Sequence, residues 1–301
     1  MTTVSGRFIA LDWGTTSFRA YIADTTGKVY ETLAAPEGIL AVKDGDFEAT
    51  LERHIGAWDK SLIVLAAGMI TSRQGWIELP YAPCPAGAAE LAKSLHHHKT
   101  GSGRRIAFVT GLSYRSPDGI PDVMRSEETQ VFGSLDTGLT HFVTPGTHSK
   151  WIGVEDERII RFSTYMTGEV FAALKSHTIL GRLMKDGPEN EEAFARGVRG
   201  ALADPAGFLH RIFSARSLGL FNEIAPEAIA SYLSGQVIGT EVAHAISRNP
   251  AQAEYCVLAS PGIGGRYIKA IEIAGLKVRH GDPEAIVKGL ALIARKAGLI
   301  R

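Results

Sequence analysis

The sequence is poor in cysteine and carries no net charge. Only Cys84 and Cys256 occur among its 301 residues, far apart and outside any metal-type spacing. This usage argues against a disulfide framework and fits a reducing compartment. The 32 basic residues balance the 32 acidic ones, so no overall field would attract nucleic acid or an anionic membrane. Any anionic ligand must therefore be held by local groups.

Long apolar runs and the commonest phosphate-binding motifs are also missing. The longest apolar run, LIVLAAGMI, is far shorter than the roughly 20 residues of a membrane span. The start, MTTVSGRFIA, lacks the basic and apolar segments of a signal peptide, so we expect a cytoplasmic protein with no membrane partner. Neither GxxxxGK[ST] nor a GxGxxG after a strand occurs, which excludes the two commonest phosphate cradles.

What is present is a pattern of strands and helices that occurs twice. Three short strands are predicted at Arg7–Leu11, Ser17–Ala23 and Lys28–Leu33. The segments THFVTPG, SKWIGVED and RIIRFST repeat this three-strand pattern in the second half. The order predicts a duplicated βββαβαβα unit. A boundary near Met124–Phe132 then divides the chain into domains 1–124 and 125–301.

The remaining elements are predicted from apolar periodicity. Buried strands are expected in SLIVLAA, RIAFVTG, EYCVLAS and LKVRHGD, and HHHK is interpreted as a frayed helix end. The predicted helices are Phe47–Trp58, Ala88–His97, Glu169–Leu180, Glu191–Arg199, Pro226–Ser247, Arg266–Ala274 and Glu284–Lys296.

The DWGTT turn between the first two strands joins a carboxylate to a glycine and two hydroxyls. Backbone N–H groups in such a turn can bind an anion, and Gly14 lets a phosphate approach where a Cβ would block it. Asp12 would repel that phosphate unless Mg²⁺ lay between them, since Mg²⁺ is held by one or two carboxylates plus waters and phosphate oxygens. Taken by itself, the stretch is more typical of an ordinary Asp/Gly hairpin turn.

The second half repeats this turn as TPGTH, where Gly146 stands among hydroxyl-bearing residues. Two such turns, one from each half, could clamp one triphosphate from both sides. Further on, the glycines of SPGIGGRY follow a buried strand and precede a helix. That arrangement suits an adenosine lying against the backbone and suits a plain strand-to-helix turn about equally.

The segment MRSEETQVFG lies between the two three-strand sets, and Arg125, Glu127 and Glu128 open its predicted helix. Acidic residues are favoured in a first helical turn, so a helix cap explains them. The alternative is catalytic, because phosphoryl transfer needs a group that accepts the proton of the attacking hydroxyl.

Several motifs in the same order resemble the sugar-kinase, Hsp70 and actin superfamily: LDWGTT its first phosphate motif, TPGTH its second and SPGIGGRY its adenosine loop. More closely, AGMITSRQGW, MRSEETQ, PGTHSKW, MTGE and LSGQVIGTEVA resemble the 2-dehydro-3-deoxygalactonokinase family. The resemblance covers nearly the whole chain. It implies an α/β fold of two ribonuclease H-like (actin/hexokinase-type) domains with an interdomain cleft. It also implies ATP- and Mg²⁺-dependent phosphorylation of the terminal 6-hydroxyl of 2-dehydro-3-deoxy-D-galactonate, in galactonate breakdown.

The resemblance also implies roles for single residues. Asp12 would organise Mg²⁺ through water, and Glu127 would be the general base, with the adjacent Glu128 as the alternative. Related sugar kinases have an aspartate as base, and Pro261 departs from the usual double-glycine adenosine pattern. The residues expected to contact ATP are Gly14, Thr15, Thr16, Gly146, Thr147, His148, Ser260, Gly262 and Gly264.

The acceptor is itself a carboxylate, so a cationic pocket should bind it, and Arg125 and Arg73 are the candidates. For either arginine a surface ion pair is an alternative explanation. Ser72 would bond a sugar hydroxyl, while Trp76 would form an apolar wall or simply belong to the core. The sequence leaves open the gluconate epimer as substrate and a homo-oligomeric state. A phosphatase or polyphosphate hydrolase and a nucleotide-driven switch are the rival functions on this fold.

Overall fold

A computed structural model describes residues 6–248 and 253–301. The chain forms two compact units. The first comprises the described residues up to Gly138 together with Gly153–Phe162 and Asp282–Arg301, and the second comprises Leu139–Ile152 and the described part of Ser163–Gly281. Every helix within the described ranges is too short or too polar to span a lipid bilayer. The domain ranges 1–124 and 125–301 stay a prediction.

The secondary structure alternates as the sequence predicts. In chain order the strands are β1 (Arg7–Trp13), β2 (Phe18–Asp24), β3 (Val29–Ala35), β4 (Val64–Ala67), β5 (Ala82–Pro83), β6 (His96–Lys99), β7 (Arg105–Phe108), β8 (Leu112–Arg115), β9 (Pro121–Met124), β10 (His141–Thr144), β11 (Ser149–Glu155), β12 (Arg158–Tyr165), β13 (Glu254–Val257) and β14 (Lys277–His280). The α-helices are α1 (Phe47–Ile55), α2 (Ala88–Lys93), α3 (Glu127–Phe132), α4 (Thr167–His177), α5 (Glu191–Ala203), α6 (Phe208–Arg211), α7 (Ser214–Leu220), α8 (Ile229–Ser247), α9 (Pro261–Ile273) and α10 (Ala285–Lys296).

The first sheet has the strand order β3-β2-β1-β4-β7-β6. Strand β1 runs antiparallel to β2 and parallel to β4, and β4 runs parallel to β7. Strand β4 is buried along its whole length, as expected for a central parallel strand that is covered on both faces. Trp13, Leu51 and Phe108 belong to one core cluster to which the sheet and α1 both contribute.

The second sheet, β12-β11-β10-β13-β14, repeats the order of the first five strands and has no counterpart of β6 among the described residues. Strand β10 runs parallel to β13, and β13 runs parallel to β14, as β1, β4 and β7 do in the first sheet. Its core cluster includes Trp151, Val242 and Tyr255. The duplicated βββαβαβα plan is therefore confirmed, and with it the α/β fold class with two ribonuclease H-like halves of the actin/hexokinase type.

The tract HHHK is a strand, so its interpretation as a helix end was wrong. Helix α2 ends at Lys93, and β6 pairs antiparallel with β7. Alternate side chains of a strand share a face, and the rings of His96 and His98 both lie against Phe108. The preceding residues have a helical spacing, and the prediction extended that helix too far. The shared contact with Phe108 shows instead the two-residue spacing of a strand.

Three further features differ from the prediction. Helix α9 begins at Pro261, so the glycines of SPGIGGRY lie in its first turns and not in a loop before it. Proline is favoured at the first helical position, which explains the early start. Helix α8 begins at Ile229, three residues later than predicted. The small sheet β5-β8-β9 and the short helices α6 and α7 carry too little periodicity to be predicted.

Candidate active site

The turn between β1 and β2 contains Gly14, Thr15 and Thr16, and we call residues 12–17 the phosphate 1 turn. The Gly14 N–H donates to the Ser17 carbonyl at 2.9 Å, which closes the turn. Both threonines are exposed. Gly38 supports the turn from behind, because a Cβ at Gly38 would lie 2.2 Å from the Thr15 carbonyl. A side chain at position 38 would therefore displace the turn.

Asp12 lies at the end of β1, where its carboxylate is mostly buried. The Ser126 hydroxyl donates to Oδ1 of Asp12 at 3.3 Å, and a guanidinium nitrogen of Arg19, its cross-strand neighbour, lies 3.9 Å from Oδ2. Burial raises the pKa of Asp12 above its ordinary value, Arg19 and the Ser126 hydrogen bond act against that rise, and the charge of Glu127 adds to it. Asp12 and Glu127 are therefore close enough to repel each other.

The turn between β10 and β11 is the equivalent feature of the second unit, and we call residues 144–148 the phosphate 2 turn. Gly146, Thr147 and His148 are exposed there. The start of α4 holds this turn, because the Glu169 N–H donates to the Thr147 carbonyl at 3.1 Å and a Glu169 carboxylate oxygen lies 2.6 Å from Nε2 of His148. Gly168 packs against the turn as Gly38 does against the first: a Cβ there would lie 2.5 Å from the Gly146 carbonyl.

Gly14 and Gly146 differ from these supporting glycines. Neither has a positive φ, and an added Cβ would meet nothing closer than 3.4 Å at Gly14 and 3.9 Å at Gly146. The protein itself therefore does not require glycine at these two positions. The space beside each Cα is open to a ligand, which is the property that phosphate binding by backbone N–H groups needs.

The first turns of α9 carry the three predicted adenosine glycines, which the structure divides into two kinds. A Cβ at Gly262 or Gly265 would meet no atom within 4 Å, whereas a Cβ at Gly264 would lie 2.9 Å from the His280 ring. A side chain at position 264 would therefore have to displace the exposed His280 ring, whereas one at 262 or 265 would not. Gly262 and Gly265 line a cavity of about 410 Å³ together with Arg266.

Ser260 is exposed and forms the N-cap position of α9, although its side chain makes no capping hydrogen bond. Arg266 donates to the Glu189 carboxylate and, at 3.4 Å, to the Ser234 hydroxyl. Glu189 lines the same cavity. An arginine held in this way can present its planar face to a flat ligand beside the glycines.

The two adjacent glutamates at the start of α3 lie in different surroundings. Glu128 is 1% exposed, and its carboxylate accepts hydrogen bonds from the Ser126 N–H at 2.9 and 3.0 Å and from the Thr129 hydroxyl at 2.9 Å. Burial, followed by the charge of Glu127, raises the pKa of Glu128 to about 8. Glu127 is half-buried, and its Oε2 accepts the Arg125 N–H at 2.8 Å. Glu127 is therefore the more accessible carboxylate.

Ser126, which precedes this pair, has a φ of 98°. A positive φ is unfavourable for a residue with a side chain and is commonly found at functional sites. Here it turns the chain so that the Ser126 N–H reaches Glu128 while the hydroxyl reaches Asp12. One strained residue thus connects the end of β1 to the start of α3.

Arg125 is buried and holds the segment that follows β4. Its guanidinium donates to the Thr71 carbonyl at 2.5 Å and to the Leu79 carbonyl at 3.2 Å, and it lies 4.2 Å from the Tyr81 ring centroid. Its Nε is buried without a hydrogen-bond partner in the described part of the protein. Arg125 thus has donor capacity left over after shaping this segment.

The other predicted sugar-acid residues separate into accessible and structural side chains. Arg73 is exposed, and no hydrogen-bond or ion-pair partner is found for it among residues 6–248 and 253–301. Ser72 is buried and donates to the Met69 carbonyl at 2.7 Å. Trp76 packs against Phe47 and Phe108 at ring distances of 6.1 and 5.5 Å, so its ring belongs to the core cluster of the first unit.

A sequence model described as 2-keto-3-deoxy-galactonokinase matches residues 12–293. The chain belongs to this family. A probable 2-dehydro-3-deoxygalactonokinase of Rhizobium meliloti is 35% identical over 302 residues, 97% of this chain and 98% of that protein. The 2-dehydro-3-deoxygalactonokinase of Escherichia coli is 30% identical over 277 residues, 91% and 92% of the two chains. The crystal structure of a Sinorhizobium meliloti protein assigned to the same activity has a TM-score of 0.88 at 35% identity. The match covers 96% of this chain and 98% of that chain.

Four residues of this galactonokinase-family chain were not predicted from the sequence. Gly38 and Gly168 lie in PEG and MTGE, where a glycine beside a turn motif is a signal that could have been used. Ser126 could not be found, because no pattern indicates a positive φ at a serine. Arg266 follows directly after the predicted glycines, and only the structure shows that it lines a cavity with two of them.

Proposed function

We propose that this protein transfers the γ-phosphoryl group of ATP to the 6-hydroxyl of 2-dehydro-3-deoxy-D-galactonate in the cytoplasm. Membership of the family and the names of two relatives over nearly the full chain support this reaction. The observation that carries the chemistry is the group formed by Asp12, Ser126 and Glu127 beside the phosphate 1 turn. In this group Asp12 would hold a metal ion and Glu127 would act as the base. Gly14 of the neighbouring turn leaves space for a phosphate.

We assign nucleotide binding to the glycine positions beside which the structure leaves space for a ligand. In each unit, the backbone N–H groups and hydroxyls of the phosphate turn are the groups that would bind phosphate oxygens of the nucleotide. The nucleoside would lie in the cavity beside Gly262, Gly265 and Arg266, where the absence of Cβ atoms lets a flat ring approach the helix.

The donor set around Asp12 fits Mg²⁺. The described residues contain no group of three or more potential metal ligands, and Mg²⁺ is usually held by one or two carboxylates together with water and substrate phosphates. Asp12 would hold the ion, with the nearby charge of Glu127 favouring a cation at this position. Bound Mg²⁺ would neutralise charge on the phosphates.

Glu127 is the proposed general base. Its carboxylate would accept the proton of the 6-hydroxyl while that oxygen forms a bond to the γ-phosphorus and the bond from phosphorus to ADP breaks. Glu128 is less suited, because its carboxylate is enclosed and three hydrogen bonds already occupy its oxygens. We assign Glu128 to holding Ser126 in its strained conformation.

The substrate carboxylate is assigned to arginine. Arg125 shapes the segment around Thr71 and Leu79, and its Nε–H has no partner among the described residues. That donor is enclosed in this structure, so its surroundings would have to open for it to form half of a bidentate contact with the carboxylate. Arg73, exposed on the same segment, is the second candidate. Arg125→Lys should raise the KM for the sugar acid more than Arg73→Lys, since lysine cannot reproduce the planar fork.

A coupled assay of ADP release with a panel of keto-deoxy sugar acids tests the function. We expect turnover with the galactonate epimer and a loss of about 10² to 10⁴ in kcat for Glu127→Gln, with nucleotide binding retained. Glu128→Gln is the matched control and should keep most of its kcat. Loss of turnover in Glu128→Gln alone would reassign the base, and phosphate release without a sugar acid would favour a hydrolase.

A further inference from the structure

A buried carboxylate in the second unit is not used by the chemistry described above. Glu241 lies on α8 and is 3% exposed. Its Oε1 accepts hydrogen bonds from the Ser149 hydroxyl and the Trp151 indole N–H, both at 2.7 Å. Its Oε2 accepts from the Tyr267 hydroxyl at 2.6 Å and from the Thr167 hydroxyl. We call Glu241 and its four donors the Glu241 cluster.

The donors of the Glu241 cluster come from the segments that form the nucleotide features of this unit. Ser149 directly follows the phosphate 2 turn. Thr167 precedes Gly168 and Glu169, the two residues that hold the same turn from the start of α4. Tyr267 lies on α9, two residues after Gly265. One carboxylate therefore connects the phosphate 2 turn to the glycine-bearing helix.

Filling the core does not require a carboxylate at this position. Burying a charge is unfavourable, and a well-packed apolar residue usually gives equal or greater stability. Burial raises the pKa of Glu241, while the four hydrogen bonds act against that rise. A carboxylate can accept four hydrogen bonds, and it thereby fixes donors from three separate elements in one geometry. An apolar side chain cannot do this.

We propose that Glu241 is a positioning residue for the nucleotide, which fixes the phosphate 2 turn relative to the N-terminal turns of α9. It touches no reacting atom and acts through Thr167, Ser149 and Tyr267. The inference rests on the proposed function, because it assumes that both features contact ATP. It predicts that breaking the cluster weakens ATP binding and leaves binding of the sugar acid unchanged.

Two variants each remove a single hydroxyl at nearly constant volume. Thr167→Val disconnects the start of α4, and Tyr267→Phe disconnects α9. Each should raise the KM for ATP several-fold, and Glu241→Ala should raise it at least about tenfold, with the KM for the sugar acid unchanged within about twofold. Glu241→Gln should be intermediate, because its amide oxygen can still accept from Trp151 while its NH₂ donates to hydroxyls that rotate to accept.

Gln236→Ala is the matched control. Gln236 is buried on the same helix, but its amide donates to the Arg211 carbonyl and the Ser214 hydroxyl, away from the nucleotide features. It should lower the melting temperature without changing the KM for ATP. If Glu241→Ala does not fold, the two single-hydroxyl variants carry the test. If the wild-type protein is active and Thr167→Val and Tyr267→Phe both keep its KM for ATP, the inference is overturned. If the wild-type protein does not use ATP, the proposed function is contradicted instead.

Discussion

At the scale of single residues, the glycines of this chain fall into two groups. Gly38 and Gly168 have no room for a Cβ because the peptides of the phosphate turns occupy that space. Gly14 and Gly146 have room and an ordinary backbone conformation, so the fold does not require them to be glycine. The first group shapes the turns, and the second leaves space for a phosphate.

Gly14→Ala should therefore separate binding from stability. We expect the KM for ATP to rise at least about tenfold, equivalent to about 1.4 kcal/mol of lost binding. The free energy of unfolding should change by less than about 1 kcal/mol, because the added methyl group meets no close contact. Steady-state kinetics and denaturant titration measure the two quantities.

Gly101→Ala is the control for the change in KM, since Gly101 is another turn glycine of the first unit with an ordinary φ. It does not control for stability, because the added Cβ would lie 3.2 Å from a carboxylate oxygen of Glu48. It should leave the KM for ATP unchanged. A Gly14→Ala protein that keeps the wild-type KM would show that no phosphate approaches this glycine.

Glu128 gives a pH-dependent prediction with a definite sign. Its folded-state pKa of about 8 lies above the ordinary value of 4.5, so the folded chain binds more protons than the unfolded chain between those values. Stability from this group is fully present below about pH 4.5 and is lost as the pH rises through about 8. Glu128→Gln cannot ionise, so its melting temperature relative to wild type should rise between pH 5 and pH 8.

Thermal unfolding at several pH values measures this difference. Glu52→Gln is the control. Partial burial acts to raise the pKa of Glu52, but hydrogen bonds from Arg104 and Ser102 bring it below the ordinary value of 4.5. Glu52 is then ionised in both the folded and the unfolded chain above pH 5, so the difference between Glu52→Gln and wild type should stay constant between pH 5 and pH 8. A difference between Glu128→Gln and wild type that is constant with pH would show that Glu128 is ionised throughout that range.

At the scale of elements, α10 positions the start of α3. A Cβ at Gly289 would lie 1.8 Å from the Thr129 carbonyl, and one at Gly133 would lie 1.8 Å from the Ala285 carbonyl. The two helices therefore pack backbone against backbone. Because α3 has only six residues, its orientation depends on this contact and on Ser126.

Gly289→Ala should force α3 and α10 apart. Overpacking of this kind typically destabilises a protein by about 1–3 kcal/mol. Because Glu127 is the first residue of α3, we also expect a lower kcat with a smaller change in the KM for ATP. Lys296→Ala, an exposed change on the same helix, is the control and should alter neither quantity. A stable Gly289→Ala protein with normal kcat would show that the helix contact does not position Glu127.

At the scale of the whole molecule, the chain builds the same five-strand order twice, with β6 added to the first sheet, and its last helix then joins the first unit. Helix α10 belongs to that unit although it comes last in the sequence. Each sheet carries a glycine turn between its first two strands, and each turn is supported by a second glycine further along the chain. Duplication therefore accounts for two similar glycine turns in one chain, the two that we propose bind phosphate.

A nucleotide should stabilise the folded molecule as a whole. At a concentration 100 times its Kd, a non-hydrolysable ATP analogue with Mg²⁺ should add about 2.7 kcal/mol to the free energy of unfolding. The melting temperature, followed with and without a chelator of Mg²⁺, measures the effect. Gly14→Ala should reduce the shift at equal analogue concentration. A shift produced by the sugar acid and not by the nucleotide would contradict ATP as the phosphoryl donor.

The sequence by itself determined the fold class, the duplicated strand order and the two turns. These depend on local signals: alternating or continuous apolar residues for strands, and glycine with hydroxyls at strand ends. The motifs that resemble the kinase family are also local signals, because each is a short run of neighbouring residues.

Only the tertiary structure decided which predicted residues are accessible and which are enclosed by other parts of the chain. Glu127 and Glu128 are neighbours in sequence, yet one is half-buried and the other is enclosed by Ser126 and Thr129. Gly262 and Gly264 also differ, because a Cβ would have open space at Gly262 and would meet the His280 ring at Gly264. Burial and close contact depend on segments far apart in the chain, and for that reason no local pattern could have separated these pairs.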